Sequence, residues 1–149
     1  MKKIYCIGLL IVSCASVKDV TVLKFTGYDN VDKANYIYKL NVPNGFKMTE
    51  VSGGGEWKEK RCEYSDGSTL YINNERNLPT INYKNIESDN TSMQKSLTSS
   101  NDTLTVWGKD KNGNYWKNKK LKYINVGYLN IPPNKKEIFD KALSSVGRK

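Results

Sequence analysis

Histidine is absent from all 149 residues. That removes imidazole as a general base, as an activator of nucleophiles and as the commonest zinc ligand, and most hydrolase chemistry at neutral pH goes with it. No G-x-S-x-G elbow is present, and no phosphate loop; Gly53-Gly54-Gly55 lacks the Gly-Lys-Ser/Thr ending and is expected as a plain turn. Asp110, Asn112 and Asn114 alternate like the start of a calcium loop, but Gly113 comes early and Leu121 stands where a bidentate acid is required. Glu56, Glu59, Glu63 and Asp66 are the densest carboxylates, and they are interleaved with Lys58, Lys60 and Arg61 as on a solvated strand face, not paired as in a glycosidase. Neither a metal nor a cofactor is expected, and an enzyme is not expected.

Cysteine is scarce, and the position of each of the three decides its use. Residues 1–14 read M-K-K-I-Y-C-I-G-L-L-I-V-S-C, a basic start followed by an apolar run of about nine residues, too short for a permanent membrane helix. Its last four residues, Ile11-Val12-Ser13-Cys14, resemble the lipobox of bacterial lipoproteins. The resemblance implies a signal peptide over 1–13, cleavage before Cys14 and acylation of that cysteine, whose thiolate is nucleophilic enough to be alkylated on sulfur. Three acyl chains would anchor far more firmly than one. Cys6 then leaves with the signal, Cys14 is lipidated, and Cys62 has no disulfide partner; it is expected as a small buried hydrophobe. Ala15 and Ser16 follow without an aspartate, which by the enterobacterial sorting rule implies the outer membrane. Residues 14–34 are expected as the lipidated cysteine and tether, and 35–149 as a single domain.

The net charge is +9, or +7 once Lys2 and Lys3 are discounted. The lysines are interleaved with Asn, Asp and Glu, so nucleic acid is not expected as a partner; a basic surface favouring anionic lipid or glycan is.

Ten of the sixteen aromatic residues are tyrosine, which suits pleated sheet. Val20, Val22 and Phe25 suggest a first strand or extended arm. Tyr36, Tyr38, Leu40 and Val42 alternate as one buried face of a strand, which Pro43-Asn44-Gly45 breaks before a second extended segment from Phe46. Trp57-to-Tyr64 and Thr69-to-Ile72 flank Asp66-Gly67 as a hairpin; Thr103–Trp107 and Tyr115–Lys117 form a second hairpin with a longer loop. Tyr123–Leu129 is a further strand. Ile138, Phe139, Ala142, Leu143 and Val146 fall on one helical stripe, with Asn134 and Glu137 spaced as a capping box and Gly147 as the stop. A weaker helix is expected within Thr91–Ser99. The sum is an α+β domain, an antiparallel sheet of about six strands flanked by helices.

Tyr36–Phe46, Y-I-Y-K-L-N-V-P-N-G-F, and the closing helix ending in A-L-S-S-V are similar to the PsbP-like α/β/α sandwich family. The G-K-D-K-N-G-N-Y-W segment at 108–116 and V-G-Y at 126–128 resemble small lipoproteins of Bacteroidetes type. The first resemblance implies a fold and no catalytic residues. A lipid-anchored, non-enzymatic protein that binds or scaffolds another envelope protein is therefore expected, with a carbohydrate- or small-ligand-binding lipoprotein as the alternative. Trp57, Tyr115 and Trp116, beside the triple glycine and the long hairpin loop, are the expected exposed contacts for a protein or glycan.

Overall fold

A computed structural model describes residues 19–54, 57–75 and 103–149, and the backbone of 86–87. Ten strands and one α-helix are described, in chain order β1 (Val20–Asp29), β2 (Ala34–Pro43), β3 (Phe46–Ser52), β4 (Lys58–Tyr64), β5 (Thr69–Asn73), β6 (Ile86–Glu87), β7 (Leu104–Asp110), β8 (Tyr115–Leu121), β9 (Ile124–Ile131), α1 (Lys136–Ser144) and β10 (Gly147–Arg148). They make two antiparallel sheets. The larger runs β3-β4-β5-β9-β8-β7-β6 and the smaller β1-β2-β10.

The period-2 pattern of β2 does what it encodes: Tyr36, Tyr38, Leu40 and Val42 are all buried. They share one core with Leu23 and Phe25 of β1, with Cys62, Leu70, Ile72, Val126 and Tyr128 of the larger sheet, and with Phe139, Ala142 and Leu143 of α1. β1 pairs with β2 along its whole length, from Val20↔Pro43 to Asp29↔Ala34. The folded unit therefore takes in β1, and the boundary expected at 35 moves back to the start of that strand.

Antiparallel sheet and a helix are present, as the α+β reading requires, but the flanking helices are fewer than expected. Among the described residues α1 is the one α-helix, and the second layer is itself largely a sheet. The expected helix at Thr91–Ser99 lies outside the described residues, as do Cys14 and the segment before it.

Both predicted hairpins form, though the second turns at 111–114 and not through the longer loop expected, because Gly108 and Lys109 pair with Trp116 and Tyr115; Gly67 (φ 83) and Gly113 (φ 79) supply the left-handed backbone their turns need. Asp110 makes an Asx turn, its Oδ1 accepting from the backbone N–H of Asn112 at 2.8 Å and of Asn114 at 2.9 Å, in keeping with a hairpin loop. The capping box is not made. Pro133 opens a 3-10 turn over Pro133–Lys135 that takes in Asn134, the helix starts at Lys136, and its N-cap Lys135 makes no side-chain cap hydrogen bond. Ile138 faces outward, leaving Phe139, Ala142 and Leu143 as the buried stripe.

Glu59, expected on a solvated face, is buried. Asn73 Nδ2 donates to its Oε2 at 2.8 Å and Arg61 Nε donates to its Oε1, so the charge is paired where it sits.

Candidate functional site

The β7–β8 hairpin and the first turns of α1 enclose an open groove of about 470 Å³. Trp107 and Lys109 of β7, Tyr115 and Lys117 of β8, Tyr128 of β9 and Lys136 of α1 line it. Strand alternation explains the set. Trp107 pairs with Lys117 and Lys109 with Tyr115, so these four side chains share one face of the hairpin, and Gly108 and Trp116, paired between them, also line the groove.

An irregularity in β9 shapes the floor. Tyr115 pairs with Ile131 and Lys117 with Tyr128, so two residues of β8 advance against three of β9, and Asn130 takes the left-handed φ of 61° that such a bulge uses. Tyr128 and Ile131, three apart, consequently both reach the core face.

Charge in the groove is organised around Asp140 of α1. Lys117 Nζ lies 2.7 Å from its Oδ1, Lys136 Nζ 2.5 Å from its Oδ2, and Tyr128 donates its hydroxyl to Oδ1 at 3.1 Å. Burial acts to raise the Asp140 pKa, but the three donors outweigh it and hold the carboxyl below its ordinary value. Lys136 is shifted upward by the same bond. Burial, and then the charge of Asp140, push the Tyr128 phenol up, so it stays a neutral donor.

The Tyr115 ring collects Lys136 again and one further cation, Lys109. Lys109 Nζ lies 4.8 Å and Lys136 Nζ 5.4 Å from its centroid. Lys109 has no carboxylate partner among the described residues. Among the described side chains, three ammonium groups thus stand with one carboxylate, beside an indole, Trp107, that is 64% exposed. The arrangement can stack a ring on Trp107 and hold an anion on the lysines. Among the described residues no group of three or more His, Cys, Asp or Glu side chains could hold a metal.

The three expected aromatic contacts separate. Tyr115 is in the groove. Trp116 is buried, 3% exposed, with its ring against Gly108, where an added Cβ would lie 2.8 Å from Nε1; that buried nitrogen has no hydrogen-bond partner among the described residues. Trp116 is therefore no exposed contact, because adjacent residues on a strand point to opposite faces. Trp57 is half-buried beside Gly53, between β3 and β4 at the far end of the larger sheet, and plays no part in the groove. Sequence reasoning missed Trp107, Lys109, Lys117 and Lys136 as a unit. The signal was there in part: Trp107 and Lys109 are two apart in a strand, and the hairpin register sets them against Lys117 and Tyr115.

Among the described residues no helix is long and apolar enough to cross a membrane. No family model, curated protein or solved structure matches the chain.

Proposed function

We propose that this is a non-enzymatic, lipid-anchored outer-membrane lipoprotein that works by binding, with Cys14 as the anchor and the β7–β8/α1 groove as its working face. The observation that carries the binding role is the exposed Trp107 indole set beside three lysines in a concave site, with the Asp140 carboxylate already engaged by Lys117, Lys136 and Tyr128. An exposed tryptophan costs solubility and adds nothing to the core, whereas such rings serve as anchors for ligands. The groove volume also falls in the range of about 300–1,000 Å³ typical of small-ligand sites. A concave basic and aromatic site supports the ligand-binding reading more directly than scaffolding of an envelope protein, which uses a broader surface of about 800 Å² on each partner.

A photo-crosslinking amino acid in place of Trp107, in cells of the native host, tests this. A covalent adduct from position 107, and none from Lys141 on the exposed side of α1, is the expected result. No adduct from position 107 overturns the proposal.

A further inference from the structure

We infer that the groove takes an acidic saccharide, a pyranose ring bearing a carboxylate or phosphate, with Trp107 as the stacking platform and Lys109 and Lys136 as the anion clamp. This rests on the binding reading of the same groove and adds the class of ligand.

The geometry divides the labour among the aromatic rings. Tyr115 already carries the ammonium groups of Lys109 and Lys136 close to its ring. Its ring is engaged in positioning these cations. Trp107 is cross-strand from Lys117, and among the described residues neither a ring nor a cation lies over its indole, so it keeps a flat apolar surface of the size of a sugar ring.

The charges are unequal in a useful way. Asp140 compensates Lys117 and Lys136 together, so the described side chains of the groove set three ammonium groups against one carboxylate, and Lys109 pairs in register with Glu87 of β6. Lysine heads are compact point charges that suit a carboxylate or a phosphate monoester without demanding a bidentate partner. An anion entering between Lys109 and Lys136 has two ammonium groups held by one ring, so little side-chain ordering remains to oppose binding. A ring to stack and a charge to pair, lining one groove, are joined in an acidic sugar residue and separated in an acidic peptide, whose charges lie on flexible arms.

The test is calorimetric titration of the full-chain, lipidated protein in a neutral detergent. The probes are trigalacturonate, a phosphorylated mannose trisaccharide, galactotriose as the neutral counterpart, and hexaglutamate as charge without a ring. At least one acidic saccharide is expected to bind about tenfold or more tightly than galactotriose, and to weaken as sodium chloride rises from about 0.05 to about 0.5 M. Trp107→Ala and, separately, Lys109→Gln are expected to reduce that binding about tenfold; both side chains are exposed, and unchanged circular dichroism shows that each variant still folds. Galactotriose binding as tightly as the acidic sugars, or hexaglutamate binding as tightly as either, overturns the inference. If no saccharide binds while the cross-linker at 107 still captures a ligand, the saccharide is wrong and the groove stands. If neither reports binding, both fall.

Discussion

Lys117 of β8 and Asp140 of α1 meet at 2.7 Å, the ion pair that ties the helix to the sheet at the floor of the groove. Asp140→Asn leaves Lys117 and Lys136 without their counter-charge in a half-buried setting, and a loss of about 1–2 kcal/mol is expected in urea unfolding at neutral pH. The sign with pH follows from the depressed carboxyl. Its contribution is complete above the ordinary aspartate pKa of about 3.9 and is lost as pH falls through the lower folded value. The gap between wild type and Asp140→Asn should therefore close in acid and persist at neutral pH.

Two glycines make opposite demands on their neighbours. A Cβ at Gly127 would lie 2.4 Å from Tyr71 Oη and 2.5 Å from the backbone oxygen of Lys117, and a strand carbonyl cannot retreat without breaking its ladder. Gly127→Ala is expected to cost about 3 kcal/mol in thermal unfolding, and Gly108→Ala, opposed only by the Trp116 indole at 2.8 Å, about 1–2 kcal/mol. Equal effects would show that the carbonyl gives way.

Cys62 is fully buried, and burial pushes its thiol up to about 11. At pH 8 it should be inert to a thiol-disulfide reagent in the native protein and react once urea unfolds it. Reaction at the same rate in both states would place it at the surface.

The strand pattern was legible because period-2 burial is local: β2, both hairpins and the buried Cys62 follow from residues a few positions apart. The third strand of the second sheet was not, because the pairing of β10 with β2 joins Gly147 to Lys39 and Arg148 to Tyr38, and no local pattern carries that separation. The groove failed to show for the same reason. Tyr115 was legible beside its loop, but Lys136 reaches it from α1 and Asp140 ties three elements together. Trp116 was misjudged by proximity to that loop, where the alternation within β8 decides exposure.

The proposed lipid attachment makes its own prediction. Cys14→Ser should release the chain from membranes in cell fractionation while leaving its thermal unfolding unchanged; a variant that stays with the membrane would sink the anchor.

The groove makes another. Trp107→Ala should change stability by no more than about 0.5 kcal/mol, since the indole is exposed, while binding to the native ligand falls about tenfold. A large loss of stability would give Trp107 a structural role instead.

The most direct test of the account is the indole N–H spectrum of the full-chain protein labelled with nitrogen-15 at Trp57, Trp107 and Trp116, titrated with a solubilised envelope extract of the native host. The binding account predicts that the Trp107 signal shifts while that of the distant Trp57 holds still. A Trp107 signal that stays fixed throughout the titration would contradict it.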